Sequence, residues 1–303
     1  MPVPSVSMVV IAYNMPREIP RTIRSLSTAM QVGVTRDDYE VILIDNGSSR
    51  TFDVELCQPL EVDLRVERLP PGDPSPCRAI NRGLAMARGK LCGVMIDGAR
   101  LASPGLVGGA LRAQRLHPRP VISTLGFHLG PDVQMKSVPR GYNQQEEDRL
   151  LDQVGWTQDG YRLFSISVFA GSSSGGWFAP MSESNALFLT RELWQELGGY
   201  EERFQSAGGG LANLDTYVRA CALPHSQLIT LLGEGTFHQV HGGIATNAAR
   251  SADPWKAFHE EYIRIRGRRF AKPEVTPLFV GFVHRHVLPS LAVSVEDQTG
   301  SAP

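Results

Sequence analysis

The sequence predicts an α/β fold in which a mainly parallel sheet is flanked by helices within a single domain. Short apolar runs rich in β-branched residues recur through the first third of the chain, and segments with helical spacing lie between them. Asp45 and Asp97 directly follow two of these runs. Ligands of parallel sheets bind beyond the carboxyl ends of the strands, so this placement also indicates where a site would lie.

The first half alternates strands with helices. Val6–Ala12 and Tyr39–Ile44 are continuous apolar segments, as expected of parallel strands that are covered on both faces. Two further strands and two helices are predicted over Leu64–Leu69, Leu91–Ile96, Ile19–Leu26 and Ala79–Ala87. Because β-α-β crossovers are right-handed, these strands should form one parallel sheet.

The second half contains longer polar stretches. Strands are predicted over Val121–Leu129 and Leu228–Leu232, and helices over Pro104–Arg115, Arg191–Leu197, Asn213–Ala222 and Ala257–Arg266. Pro131–Gly160 is polar, and we interpret it as irregular. The residues after Thr299 are expected to be disordered.

Composition limits the classes of function. The chain has 303 residues and a formal net charge of −1, and it therefore lacks the overall basic charge typical of nucleic-acid-binding proteins. Its four cysteines are widely spread without a CxxC pair, which predicts buried free thiols in a reducing compartment. The N-terminus lacks signal-peptide features and no apolar run reaches the length of a membrane span, so a cytoplasmic location is expected.

Six motifs occur in an order that resembles the family 2 glycosyltransferases. The motifs are Val6–Asn14, Val41–Ser49, Asn81–Gly89, Leu91–Ala99, Glu192–Phe204 and Leu211–Arg219. The first three resemble that family's first strand and loop, its second-strand signature and its Asn-x-Gly helix. The fourth lies where the family's Asp-x-Asp element belongs, and the resemblance as a whole covers roughly residues 5–245.

The resemblance implies a GT-A fold and the transfer of a hexose-type unit to an acceptor hydroxyl. The donor would be a nucleoside diphosphate sugar, with a UDP-sugar favoured, and the displacement would be direct, with inversion. Residues 1–115 would form the donor-binding half, and residues 116–270 the acceptor-binding and catalytic half of the same domain. Residues 271–303 would be a C-terminal extension.

The resemblance also implies a binding site for the donor nucleotide. Asp45 would accept a hydrogen bond from the nucleobase, which would lie against Ala12 and Tyr13, with Asn14 beside them. Asn81 matches the Asn-x-Gly motif, and we expect it to contact the donor. The residues leave a second interpretation of Asp45 open, because an Asp often caps an Asp-Asn-Gly turn.

Asp97 matches the first acid of Asp-x-Asp, whose carboxylates hold Mn²⁺ or Mg²⁺ against the diphosphate. The sequence departs from the pattern, since Asp97-Gly98-Ala99 lacks the second carboxylate. A histidine after a late strand, either His238 or His241, could share the cation with Asp97. Alternatively, Arg100 could neutralise phosphate without a metal ion. We favour a cation held by Asp97 and His238.

Asp215 is the candidate general base, because a carboxylate at the start of this helix removes the proton of the acceptor hydroxyl in the family. A structural interpretation stays open, since the helix dipole alone favours an acid in the first turn. Glu183 is the alternative base. Trp177 could stack on an acceptor sugar and Asn185 could bind its hydroxyls, although a core tryptophan fits the sequence equally well.

Other interpretations agree with parts of the sequence. The incomplete Asp-x-Asp element is consistent with a nucleotide-sugar-binding protein that has lost catalysis. A nucleotidyltransferase is disfavoured, because Tyr13–Pro16 lacks the glycine-rich basic loop expected after its first strand. The run Arg264–Arg269 is either a solvated helix end or an anchor for anionic lipid or an acidic acceptor, which leaves a peripheral membrane contact open.

Overall fold

The computed structural model of the protein describes residues 3–57, 60–242 and 254–299. The strands are β1 (Val6–Ala12), β2 (Tyr39–Asp45), β3 (Asp63–Arg68), β4 (Leu91–Met95), β5 (Arg100–Ala102), β6 (Pro120–Leu129), β7 (Ser167–Phe169), β8 (Leu187–Thr190), β9 (Gln227–His238) and β10 (Leu278–Gly281). The α-helices are α1 (Glu18–Ser25), α2 (Cys77–Met86), α3 (Leu106–Ala113), α4 (Gln134–Ser137), α5 (Gln144–Val154), α6 (Arg191–Leu197), α7 (Ala212–Cys221), α8 (Pro254–Arg266) and α9 (Leu288–Thr299).

These strands form one sheet. Their order is β10-β9-β6-β8-β4-β1-β2-β3, with β5 paired to β9 and β7 paired to β6. Strand β8 is antiparallel to β4 and β6, whereas the other neighbours along this path are parallel. Apart from β8, the strands of the path therefore run in one direction, and their carboxyl ends meet along one edge of the sheet.

The centre of the sheet explains the continuous apolar runs. Every residue of β1 and β2 is buried. Val9 belongs to an apolar cluster with Ile80 of α2, and its neighbour Val10 belongs to a second cluster with Ile23 of α1. Because successive side chains of a strand point to opposite faces, helices on both faces require apolar residues at every position.

The predicted α/β fold and its mainly parallel sheet are confirmed. Two predictions about elements are wrong. The last predicted strand does not end at Leu232 but continues to His238, and Pro131–Gly160 is not irregular, because it contains α4 and α5. Helix α5 follows Asn143, whose side chain accepts hydrogen bonds from two backbone N–H groups of the first turn.

The sheet runs through the three segments predicted from the sequence. Residues 1–115 contribute β1 to β5, residues 116–270 contribute β6 to β9, and the C-terminal extension adds β10 beside β9. The predicted disordered end, residues 300–303, lies outside the described residues. The four cysteines are buried and unpaired, as predicted. Within the described ranges, no helix is both long enough and apolar enough to cross a membrane.

A buried carboxyl group joins β9 to the turn before α3. Glu234 in β9 is 2% exposed, and its two oxygens accept hydrogen bonds from the hydroxyls of Ser103, at 2.5 Å, and Tyr161, at 2.8 Å. The backbone N–H of Gly105 donates a third bond at 3.0 Å. Burial nevertheless outweighs these donors and raises the pKa of Glu234 to about 7.

We expect the free energy of unfolding to fall as the pH rises from about 4.5 to about 7. Over this range the folded protein keeps the proton on Glu234, whereas the unfolded chain releases it. Glu234→Gln cannot ionise and should remove this contribution, about 3 kcal/mol, from the pH dependence. Denaturant unfolding of both proteins across this range measures the change.

Glu55→Gln is the matched control, because Glu55 is exposed and its replacement should leave the pH dependence of the wild-type protein unchanged. An equally steep pH dependence in Glu234→Gln and the wild-type protein would contradict the assignment.

Candidate active site

Asp97 follows β4 and lies at the carboxyl edge of the sheet. The backbone N–H of Gly98 donates to the carbonyl oxygen of Ile11 at 2.7 Å, and a Cβ at Gly98 would lie 2.5 Å from that oxygen. A residue with a side chain could not approach β1 so closely. Strand β5 then begins at Arg100, which pairs with His238 at the end of β9. This pairing brings the loop that carries Asp97 against His238.

Asp97, His238 and His241 form a compact group, termed here the Asp-His-His cluster. Nε2 of His238 lies 2.7 Å from Oδ2 of Asp97. Nε2 of His241 lies 3.2 Å from Nε2 of His238 and 3.5 Å from the same Asp97 oxygen. The side chain of His238 is 3% exposed and that of Asp97 is 21% exposed, so the cluster is mostly shielded but remains accessible.

Gln134 of α4 fixes the orientation of His238. Its Oε1 atom lies 2.6 Å from Nδ1 of His238, and its Nε2 donates to the His238 carbonyl oxygen at 2.9 Å. An amide oxygen only accepts hydrogen bonds, so this network assigns the ring proton to Nδ1 and leaves the Nε2 lone pair facing Asp97. Metal-binding histidines commonly have such a partner on the second nitrogen.

The cluster has protonation states that suit a cation. Burial acts to raise the pKa of Asp97, but His241 and His238 outweigh it and hold that pKa well below the usual range. Burial lowers the pKa of His238 to about 4, so its ring is neutral at neutral pH. Burial lowers the pKa of His241, but Asp97 outweighs it and the net pKa is raised. A metal ion would bind the neutral form of His241.

The donor atoms of the Asp-His-His cluster fit a divalent cation. A carboxylate oxygen and the lone pair of a neutral imidazole repel each other at 2.7 Å, and a cation bound by both would remove this repulsion. The carboxylate and imidazole atoms of the cluster are types that bind Mn²⁺, and two imidazoles favour Mn²⁺ over Mg²⁺. The residues present therefore fit the predicted cation, with His241 as a third ligand.

Helix α5 holds the loop after β9 in place. Glu147 of α5 is fully buried, and its Oε2 accepts a hydrogen bond from the Val240 N–H at 2.8 Å. Gln144 and Arg17 both donate to the Val240 carbonyl oxygen at 3.2 Å. Arg17 also pairs with Glu147 at 2.9 Å. These bonds fix the backbone between His238 and His241, and so the separation of the two rings.

Arg100 provides a buried positive charge beside the cluster. It is 7% exposed, and its Nε and Nη1 atoms make no hydrogen bond to any residue that the structure describes. Burial lowers the pKa of Arg100, while Asp97 and Glu183 act to raise it. A guanidinium remains charged in proteins, and a buried donor without a partner costs about 1–3 kcal/mol. Such a group is suited to an anion such as phosphate.

The structure brings the candidate nucleotide-binding residues together at the ends of β1 and β2. Ala12 pairs with Asp45 in the parallel ladder, and Tyr13 beyond it is 53% exposed. Asp45 is buried, and its Oδ1 accepts a hydrogen bond from the Ser48 N–H at 2.9 Å. The Ser48 hydroxyl in turn accepts from the Asn14 N–H at 2.8 Å. Asp45 thus caps its own turn, and a role in binding a base would be additional.

Glu183 and Asn185 are linked through Asn213 of α7. Nδ2 of Asn213, in α7, donates to Oε2 of Glu183 at 2.7 Å and lies 3.5 Å from Oδ1 of Asn185. Glu183 is half-buried, and its other oxygen makes no hydrogen bond to the described residues. A Cβ at Gly126 would lie 3.1 Å from Nδ2 of Asn185 and 3.7 Å from Nη1 of Arg100. The side chains of Asn185 and Arg100 therefore both lie beside Gly126.

Asp215 lies in the first turn of α7, as the sequence predicts, but its carboxylate is held by ion pairs. It is 1% exposed, and Nε of Arg219 donates to its Oδ2 at 2.8 Å. Arg266 of α8 contacts both oxygens, at 2.6 Å and 2.7 Å. Because two guanidinium groups occupy the carboxylate, its contacts favour an ion pair between α7 and α8 and disfavour a general base.

Two further candidates have contacts that correct the expected roles. The Asn81 side chain accepts from the Tyr200 N–H at 2.8 Å and donates to the Tyr200 carbonyl at 2.9 Å, so it ties α2 to the loop after α6. Trp177 is 1% exposed, packs against Phe127 and donates to the Leu231 carbonyl at 3.2 Å. The Asn81 amide is thus already hydrogen-bonded within the protein, and the buried Trp177 ring presents no exposed face to an acceptor sugar.

Sequence analysis missed three residues that shape the cluster. Gln134 and Glu147 lie in the segment interpreted as irregular, and His128 lies in β6 beside His238, with ring centroids 5.2 Å apart. Burial, together with His238 and Arg100, lowers the pKa of His128 to about 2. The cap of α5 at Asn143 was the available sequence signal for Glu147, whereas Gln134, in α4, and His128 carry no comparable local signal.

Comparisons with known proteins agree with this geometry. The model of a protein family described as glycosyl transferase family 2 matches residues 7–171. No curated protein matches the chain.

Solved structures of similar fold include a protein in complex with UDP-GlcNAc and a mannosyltransferase. Staphylococcus aureus TarS 1–349 in complex with UDP-GlcNAc has a TM-score of 0.53 at 16% identity, and the match covers 86% of this chain and 65% of that chain. S. aureus TarS has a TM-score of 0.51 at 14% identity, covering 98% and 49%. The mannosyltransferase PcManGT from Pyrobaculum calidifontis, in complex with GDP-Man and Mn²⁺, has a TM-score of 0.51 at 14% identity, covering 99% and 76%.

At these identities the similarity shows the fold alone, which is GT-A. The chain corresponds to 65% of TarS 1–349 and to 49% of TarS, so it spans only part of their length.

Asp215→Asn should destabilise the protein by about 3 kcal/mol, because the neutral amide removes the buried negative charge that Arg219 and Arg266 share. Denaturant unfolding measures this loss. Glu146→Gln is the control, because it removes an exposed ion pair with Arg149 and should cost less than about 1 kcal/mol. Equal stability of Asp215→Asn and the wild-type protein would contradict a structural role for Asp215.

Proposed function

The chain belongs to glycosyl transferase family 2, and from this premise we propose that it transfers a glycosyl unit from a nucleoside diphosphate sugar to an acceptor hydroxyl. The observation that carries the proposal is the Asp-His-His cluster with the buried guanidinium of Arg100 beside it. Both lie at the carboxyl edge of the sheet, next to the loops after β1 and β2.

The diphosphate of the donor lies between the cluster and Arg100 in this proposal. Asp97, His238 and His241 would hold Mn²⁺, or Mg²⁺ with lower preference. The cation would neutralise charge on the leaving phosphate as a Lewis acid. The buried Nε and Nη1 atoms of Arg100 would donate to phosphate oxygens, so the guanidinium would gain the partners that it lacks within the described residues.

The nucleobase lies at the ends of β1 and β2. Tyr13 is half-exposed and offers a face for a planar base; Ala12, the last residue of β1, precedes it and Asn14 follows it in the loop. Asp45 has one oxygen committed to Ser48 and would accept from the base with the other. A UDP-sugar is the favoured donor, as the family resemblance implies.

Glu183 is the general base in this proposal, in preference to Asp215. Its Oε2 is held by Asn213, and its other oxygen is available to a ligand. The acceptor hydroxyl would give its proton to Glu183 as its oxygen attacks the anomeric carbon and the bond from that carbon to the phosphate oxygen breaks. This direct displacement inverts the configuration. Asn185, in contact with Asn213, would orient an acceptor or donor hydroxyl.

Glu183→Gln should lower kcat by about 10²–10⁴, because the amide cannot take a proton, while the affinity for UDP stays within about threefold. UDP release from UDP-glucose and UDP-GlcNAc, with water as the acceptor, measures turnover without knowledge of the natural acceptor. Asp215→Asn is the matched variant, and its turnover per folded molecule should remain within about threefold of the wild-type value.

The same assay separates the rival functions and the rival bases. A loss of turnover in Asp215→Asn but not in Glu183→Gln would reverse the assignment of the base. Nucleotide binding with no turnover of any UDP- or GDP-sugar would favour a binding protein that has lost catalysis.

A further inference from the structure

A second group of side chains that could bind a metal ion joins the C-terminal segment, residues 271–299, to the loop between α5 and β7. His284 and His286 follow β10 with one residue between them, and Asp159 lies between α5 and β7. One ligand atom from each of the three lies within 4.8 Å of the others. None of the three belongs to the Asp-His-His cluster.

The contacts of His286 and Asp159 leave one ligand atom of each available, whereas Nδ1 of His284 accepts from the His286 N–H at 3.4 Å, so Nε2 would be the ligand atom of His284. Nε2 of His286 is buried, makes no hydrogen bond within the described residues and lies 3.6 Å from Oδ2 of Asp159. That separation is too long for a hydrogen bond, but it suits two ligands of one metal ion. The two oxygens of Asp159 have different partners. Oδ1 accepts a hydrogen bond from the Tyr161 N–H at 3.0 Å, and Oδ2 faces His286.

Packing orients the second imidazole. The ring of Tyr161 stacks on His284 with centroids 4.6 Å apart and planes inclined by 14°. The hydroxyl of Tyr161 donates to the buried Glu234 at 2.8 Å, so the tyrosine is itself fixed. The rings of His284 and His286 lie 5.3 Å apart and tilted by 32°. Both imidazoles are therefore positioned before any ligand arrives.

We propose that Asp159, His284 and His286 form a second cation site, which binds a transition-metal ion of the Zn²⁺ type and fastens the C-terminal segment to the sheet domain. Two imidazoles and one carboxylate select Zn²⁺ over Mg²⁺ or Ca²⁺. Water would complete the coordination. The guanidinium of Arg162 lies 3.8 Å from Oδ2 of Asp159 and would repel a bound cation. The bonds from the three ligands would therefore have to outweigh this repulsion.

The test counts bound Zn²⁺ per chain by calorimetric titration of the full-length protein. The variant H284A/H286A should bind one equivalent less than the wild-type protein. H259A, which removes an exposed histidine outside both clusters, should bind as much as the wild-type protein. H238A, in the Asp-His-His cluster, should keep the equivalent that H284A/H286A loses. The experiment measures binding and not turnover, so its failure is distinct from failure of the proposed transferase activity.

Asp159→Asn provides a second variant in case the double variant does not fold. Asparagine preserves the hydrogen bond from the Tyr161 N–H but removes the charged ligand. The affinity of this site for Zn²⁺ should fall at least about tenfold. Equal Zn²⁺ stoichiometry and affinity in the wild-type protein, Asp159→Asn and H284A/H286A would overturn the proposal.

Discussion

The pairing of the three-residue strand β5 with the end of β9 determines the geometry of the candidate active site. Strand β5 begins at Arg100, which pairs with His238 and directly follows the loop that carries Asp97. Strand β9 also pairs with β6, which sets His128 beside His238. Asp97, Arg100 and the histidines therefore meet, although 141 residues separate Asp97 from His238 in the sequence. A shift of one residue in this register would turn Arg100 to the opposite face.

The charges of the site follow from this arrangement. Asp97 is ionised because the neighbouring imidazoles outweigh burial and lower its pKa, and His238 is neutral because burial outweighs Asp97 and lowers the pKa of the ring. Arg100 contributes a buried positive charge without a protein partner among the described residues. With a divalent cation added, the site would be strongly positive, which complements a diphosphate and leaves Glu183 as the nearby half-buried acid.

Part of this could be predicted from sequence and part could not. Continuous apolar runs predicted the parallel strands, and the position of Asp97 after one of them predicted that it lies at the carboxyl edge of the sheet, where ligands of such sheets bind. The true surroundings of Asp215 depend on Arg266 of another helix, and no local pattern reveals that contact. Trp177 shows the same limit, because one aromatic residue fits a core and a sugar platform equally well until its neighbours are known.

The central claim is that Asp97, His238 and His241 hold a cation that binds the donor diphosphate. The most direct measurement is calorimetric titration of the protein with UDP and with GDP, each in Mn²⁺ and in EDTA. One nucleotide should bind at least about tenfold more tightly with Mn²⁺, and His238→Ala should abolish the difference while His259→Ala preserves it. Equal affinity in Mn²⁺ and EDTA would contradict the claim, and absence of binding by both nucleotides would contradict the donor class as well.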